Sequence, residues 1–481
     1  MEIDMSSLDQ GAPFGAAATG GVGAKRGATL ALLAFAQLII ALDLNIVFVA
    51  LPEIGAGLGF SGQTLQWVVS AYTVFTGGFL LFGGRAADLI GQRRIFIFAL
   101  WLYALSSLVG GFAWSPEIII AARAVQGIGA AFLFPATLSL INRLFAEGPE
   151  RNRALAVWGG AGASGLTLGS LAGGLLTSAF GWPSVFYVNV FLAGIAIIAA
   201  FAIIPRDGKR HEHRSFDLPG ALTVTAGATL LVFTLVQGPE YGWGSAAIVF
   251  SAALATFFLI ALAAIEARSA DPLMPLRLFH NRSLVAGMTI TFLFMGTFGA
   301  LPYFLTVLLQ NVHGFTALQA GLAFLVPSVA IAAGTQVGER LATRFSTRAT
   351  LVGGMVIGAI GTALMVSGAN ADSSYLSLVP GLIISGVGQG IVWTAMWIAA
   401  ASGVSHDEQG VASGMASTML NVGNAIGMAV LIAIANRNVG GLTGDALKIA
   451  VADGIQVAFW LAAAGIVFSL LAAMVLPGKP K

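Results

Sequence analysis

Hydrophobic positions along this chain come in long unbroken blocks, with the polar residues gathered between them. Fourteen runs are apolar or small almost throughout, at residues 28–51, 65–86, 95–113, 118–143, 154–178, 185–204, 219–237, 246–265, 284–309, 319–338, 349–368, 376–401, 411–435 and 455–476. A helix needs roughly 20 apolar residues to cross the hydrocarbon of a bilayer. An open strand would leave backbone groups unpaired in lipid, whereas a helix pairs its own. The pattern therefore predicts an all-α integral membrane protein with fourteen transmembrane helices.

Composition sharpens this. The chain is 57% hydrophobic and 9% charged, against roughly 25% charged in a soluble domain. Cysteine is absent, which removes disulfide and thiol chemistry. Residues 1–27 are rich in Gly and Ala and carry Glu2, Asp4 and Asp9. They lack the basic start and short apolar centre of a signal peptide and read as a disordered cytoplasmic tail.

The net charge of +2 matters less than where the charges fall. With the N-terminus inside, every Lys and Arg except Arg123, Arg437 and Lys448 lies in an inner segment. That asymmetry follows the positive-inside rule and predicts a multi-pass protein of the cell's inner (cytoplasmic) membrane with both termini in the cytoplasm. The longest inner connections, PRDGKRHEHRSFD and EARSADPLMPLRLFHNRS, flank helices 7 and 8. They divide the chain as 6+2+6 helices: an N-terminal bundle at 28–204, a two-helix insert with its loops at 205–283, and a C-terminal bundle at 284–481. The halves echo each other eight helices apart. GGRAADLIGQRR after helix 2 matches VGERLATRFSTR after helix 10, and QGIGAA in helix 4 matches SGVGQG in helix 12. Parallel repeats around a central path are a mark of transporters.

The first run holds one acid, Asp43. A carboxylate at bilayer depth costs on the order of 3 kcal/mol on insertion scales and is a functional candidate for that reason. Burial disfavours its charged form, so it can take up and release a proton or attract a cation. The alternative is an acid paired with a neighbouring helix for structure alone. Arg123 is the other intramembrane charge. At 1.5 Å per residue it lies roughly 8 Å from the outer end of helix 4, and Asp43 roughly 12 Å from the outer end of helix 1. Those depths permit coupling; a snorkelling arginine is the competing reading. Gln126, Gly127 and Ala130 share the Arg123 face.

Gly84, Asp88, Gly91, Arg93 and Arg94 form a tight inner turn, either a breakable latch of Asp88 against the two arginines or an ordinary charged loop. Gly165, Gly169, Gly173 and Gly174 make a small-residue stripe for close helix contact, with a sliding seam as its functional reading. Trp67, Tyr303, Gln310, Gln389, Trp393 and Trp397 offer aromatic and amide groups suited to flat lipophilic cations; lipid-facing tryptophan is the alternative. Tyr241 and Trp243 read as outer interface anchors, and His211 and His213 as solvated. No HExxH or similar cluster appears, all five histidines fall outside the runs, and no GxxxxGK[ST] motif is present. No metal, cofactor or ATP is therefore expected.

These motifs together resemble the major facilitator superfamily. Gly84 to Arg94 is similar to its signature loop, Gly-x-x-x-Asp-x-x-Gly-x-Arg-Arg. LDLNIVFVALP resembles the LDxTIVNVALP signature of the fourteen-helix drug:proton antiporters, ARAVQGIGAA the helix 4 motif, and GLTLGSLAGG the helix 5 antiporter motif GxxxGPxxGG. GWPSVFYVNV, PLMPLRLFHNRS, YFLTVLLQNVHGFTALQAG and GVASGMASTMLNVGNAIG also resemble family stretches. Ser170 replaces the motif proline, Asn45 and Phe48 depart from the helix 1 signature, Thr343 stands where an acid is usual, and residues 411–435 lack a second acid. The resemblance implies a proton-coupled antiporter, not an enzyme, that exports lipophilic, cationic drugs by alternating access, with Asp43, Arg123 and Gln126 coupling proton to substrate. Its partners would be protons, the bilayer and a small molecule, with no nucleic acid, and it would act as a monomer. A dedicated exporter of one metabolite or antibiotic, and a membrane-embedded enzyme, remain as alternatives.

Overall fold

The computed structural model describes residues 16–60, 65, 67–207, 218–268, 276–405, 408–439 and 442–476. Among these residues the chain is helical, in fourteen successive rods: α1 (Ala16–Leu58), α2 (Trp67–Ile90), α3 (Gln92–Gly111), α4 (Pro116–Leu144), α5 (Pro149–Phe180), α6 (Ser184–Ile203), α7 (Leu218–Tyr241), α8 (Ala246–Glu266), α9 (Arg282–Val312), α10 (Ala317–Arg344, stepped at Phe324), α11 (Thr347–Met365), α12 (Tyr375–Ala401), α13 (Gln409–Ala435) and α14 (Gly444–Met474). Thirteen are long and apolar enough to cross a membrane, and α7 adds a shorter apolar core at Leu222–Gly238.

The ends of the rods differ from the apolar runs where polar sequence can still be helical. α1 begins at Ala16, inside the stretch expected to be tail, where the approach contains no proline to stop a helix and is not apolar enough to read as a span. Residues 1–15, His211 and His213 lie outside the described residues. Prolines explain the breaks. Pro327 cannot donate to the Ala323 carbonyl, and the Tyr375 hydroxyl from α12 donates to it instead, at 2.7 Å. Pro302 likewise frees the Phe298 carbonyl, which takes the Leu301 N–H in a short 3-10 turn at Phe298–Ala300.

Packing repeats with the spacing of the sequence echoes. In the first half α1 packs on α5, α2 and α3 pack on α4, and α3 on α6. In the second half α9 packs on α13, α10 and α11 on α12, and α11 on α14. The bundles meet along α2–α13 and α5–α10, two seams that the same repeat exchanges. The α7–α8 hairpin docks through α7 on both α2 and α13, so it covers one seam. At the Lys- and Arg-rich end the halves are tied together, with Asn152 of α5 donating to Thr343 of α10 at 3.2 Å.

Candidate functional site

Asp43 and Arg123 are both 0% exposed and lie within the first bundle. Arg123 Nη1 donates to Asp43 Oδ2 at 2.6 Å. The other carboxylate oxygen accepts from Gln126 Nε2 at 2.9 Å and from Asn189 Nδ2 of α6 at 2.6 Å. The guanidinium is held on two further sides. Its Nε donates to the Val68 carbonyl of α2 at 2.9 Å, and its Nη1 also donates to Gln126 Oε1 at 2.8 Å. The Tyr72 ring lies 4.3 Å from its Cζ, a cation–π contact that desolvation strengthens. Ser107 of α3 accepts from Gln126 at 2.9 Å. Five helices thus converge on one ion pair. Two charges taken out of water are tolerable only when paired and hydrogen-bonded, and removing one partner leaves a buried charge that costs several kcal/mol.

Sequence depth alone placed the pair at compatible levels, and the structure brings the two residues into contact. Asn189, Ser107 and Tyr72 were not read from the sequence. Asn189 did leave a trace, as an amide midway along the otherwise apolar helix SVFYVNVFLAGIAI. The pair faces the interior of the first bundle, not the seams between bundles. Gly127 permits this convergence: a Cβ there would lie 2.5 Å from the Tyr72 carbonyl oxygen, so α4 and α2 touch backbone to backbone.

The basic-end turn is built differently from the latch expected within it. Asp88 reaches across the α2–α13 seam, its carboxylate accepting the Gly410 and Val411 backbone N–H groups at 3.0 Å each. Those N–H groups belong to the first turn of α13, where a helix offers free donors and partial positive charge. Arg93 and Arg94 serve a different acid. Their backbone N–H groups donate to Asp207 at 3.1 Å each, and Arg143 pairs with the same carboxylate at 3.4 Å. Gly91 has φ +116°, and a Cβ there would strike Asp207. A Cβ at Gly84 would lie 2.3 Å from the Gly410 carbonyl oxygen, so this glycine sets the closeness of the seam. The latch therefore joins the two bundles.

A family model described as Major Facilitator Superfamily matches residues 33–428 and, in a second register, 288–481. The chain belongs to the major facilitator superfamily. It is 38% identical over 434 residues to the cephamycin export protein of Amycolatopsis lactamdurans, covering 89% of each chain. The puromycin resistance protein of Streptomyces alboniger is 36% identical, over 87% of this chain and 84% of its own. The lincomycin resistance protein of Streptomyces lincolnensis is 33% identical, over 94% and 91%. Among solved structures, a human organic anion transporter superposes with TM-score 0.66 at 17% identity, covering 93% of this chain and 99% of that one. A proton:xylose symporter does so with TM-score 0.67 at 12% identity, covering 93% and 95%. These two establish the fold. The protein is a superfamily transporter and not a membrane-embedded enzyme.

In this superfamily member the glycine stripe of α5 faces α1. Cβ atoms at Gly165, Gly169 and Gly173 would lie 2.8, 2.4 and 2.9 Å from the carbonyl oxygens of Leu38, Leu42 and Ile46. Gly174 meets nothing within 4 Å and lies off the seam, a correction to the four-residue stripe. The opposite face of α5 meets α10: Thr167 hydrogen-bonds Ser328, and a Cβ at Gly321 would approach Ser170 at 3.6 Å.

The six aromatic and amide candidates do not gather into one cavity. Trp67 packs on Phe233 at 6.0 Å and donates to the Tyr241 hydroxyl at 3.4 Å, which places it against the hairpin. Trp243 packs over Gly238 in the same corner. Tyr303 lies against Phe304, and Gln310 occupies a π turn, Leu308–Val312, at the far end of α9. Gln389 is half-buried on α12. Trp393 and Trp397 sit nearer the basic end in a cluster that spans both bundles. Trp158 of α5 stacks on Trp393 at 6.0 Å and meets Trp397 edge-on at 5.8 Å. Phe134 of α4 contacts Trp158 at 5.3 Å, and Phe294 of α9 contacts Trp393 at 5.5 Å. Trp158 is fully buried, and sequence reading missed it because α5 was read for its glycines.

Proposed function

We propose that the protein exports lipophilic compounds across the cytoplasmic membrane in exchange for protons, by alternating access. The observation that carries this reading is the sealed Asp43–Arg123 pair. Proton loading neutralises one member of a buried pair and so changes the energy of the helices that hold it. With the basic end in the cytoplasm, Asp88 and the aromatic cluster hold that side shut. Protonation of Asp43 from the outer side frees Arg123 from its counter-ion and disturbs α1. The close contacts of Leu42 and Ile46 with Gly169 and Gly173 pass that disturbance to α5, and Thr167 and Ser328 pass it across the seam to α10. Proton and cargo need only favour opposite states for exchange to follow. One charge moving through 100 mV supplies about 2.3 kcal/mol, enough for a gradient of tens-fold.

The test uses proteoliposomes with an imposed pH gradient and a panel of unrelated dyes. Asp43→Asn is expected to insert normally and to lose ΔpH-driven export entirely. Export by that variant at the wild-type rate would remove Asp43 from the mechanism. The similarity to proteins each named for one antibiotic favours a second reading, a dedicated exporter. Export of only one chemical type across the panel selects it.

A further inference from the structure

The aromatic cluster between the bundles carries an anomaly that packing does not account for. The indole Nε1 atoms of Trp158, Trp393 and Trp397 are all buried and have no hydrogen-bond partner among the described residues. Buried donors are nearly always paired, and each unpaired one carries a desolvation cost. Three in one cluster, on helices from both halves, point to a partner that the shut state excludes. Ring faces are not what remains free. Trp158 meets Trp397 at 90°, Trp393 meets Trp397 at 76°, and Phe134 meets Trp158 at 65°, so edges already cover faces. What is left over is donor-only N–H.

We propose that Trp158, Trp393 and Trp397 form a substrate site that assembles when the cytoplasmic end opens and collapses when it shuts, and that it takes flat aromatic compounds bearing carbonyl or carboxylate acceptors. This rests on the export reading above and names its substrate class. Separation of the bundles draws Trp158 and Phe134 away from Trp393, Trp397 and Phe294. A planar molecule inserted there replaces the ring contacts, and its acceptors take the three N–H groups. When the cluster closes to the state described here, the rings meet one another again and the cargo has no place. Affinity is then high facing the cytoplasm and low facing outward, the order an exporter requires. A cation takes nothing from the three N–H groups, which are donors only, and can gain only from the ring faces that the parted bundles expose.

The test is equilibrium dialysis of two dyes against the full chain in lipid nanodiscs: alizarin, a flat anthraquinone with ring carbonyls, and ethidium, a flat cation. Trp→Phe at 158, 393 or 397 keeps a ring and removes one donor. Each is expected to weaken alizarin binding roughly two- to tenfold, the worth of one hydrogen bond, and to weaken ethidium binding less, because phenylalanine keeps a ring face for the cation. Equal losses for both dyes, unchanged alizarin binding in all three variants, or no alizarin binding by the wild type overturns the proposal. Export is scored separately in proteoliposomes. Alizarin binding that depends on the indoles without vectorial movement removes the export reading and leaves the site standing.

Discussion

At the scale of single residues, the molecule is governed by one buried pair and its three amide or hydroxyl supports. Arg123→Ala leaves the Asp43 carboxylate buried among donors too few to replace a cation. The variant is expected to lose about 3–5 kcal/mol of stability, read as a lowered melting temperature in detergent. The double variant Asp43→Leu with Arg123→Met removes both charges. It is expected to recover most of that loss while remaining inactive in ΔpH-driven export. A double variant no more stable than Arg123→Ala would mean that packing, not uncompensated charge, dominates at this site. Asp43 and Arg123 were visible in the sequence because charge stands out in an apolar run. Asn189 and Ser107 were not, since a neutral polar residue in a membrane helix has many uses and only its neighbours reveal which one applies.

At the scale of elements, glycines separate into those that set a distance and those that do not. Within one α5 motif, Gly169 lies where a methyl group would meet the Leu42 carbonyl, and Gly174 faces open space. Gly169→Ala is expected to cost about 1–3 kcal/mol through overpacking and to slow export. Gly174→Ala is expected to stay within about 0.5 kcal/mol of wild type with unchanged export. Thermal unfolding and initial export rates of the two variants, measured side by side, check this. Equal effects would show that the motif acts through helix propensity alone. The stripe was legible from its spacing, but spacing names a face without naming the neighbour. Tertiary packing assigned that face to α1 and gave the other face of α5 to the seam.

At the scale of the whole molecule, what matters is how the two bundles are held at the Lys- and Arg-rich end. Asp88 bonds the first turn of α13 from the opposite half, so it stabilises the shut state specifically. Asp88→Asn removes a charge-assisted bond to a helix N-terminus, worth about 1.5–3 kcal/mol. The shut-to-open ratio is expected to fall by roughly ten- to a hundredfold. The native chain has no cysteine, so a single Cys placed on the α10 face near Asn152 reports opening by its labelling rate. An unchanged rate in Asp88→Asn would mean that the aromatic cluster holds the end shut unaided. The hairpin adds a further constraint, because α7 touches both α2 and α13 and any parting of that seam must carry it along.

Taken by itself, the sequence determined the membrane class, the number of helices, the pseudo-repeat and the two intramembrane charges. Each of these follows from local length, hydropathy or charge asymmetry, which need no knowledge of neighbours. Tertiary structure decided the rest. It turned Asp43 into the interior of one bundle, sent Asp88 across to α13 and gave Arg93 and Arg94 to Asp207. It also scattered the six aromatic and amide candidates and joined Trp158 to Trp393 and Trp397. A helix face reads the same in sequence whether it meets lipid, its own bundle or the opposite half, and only packing distinguishes them.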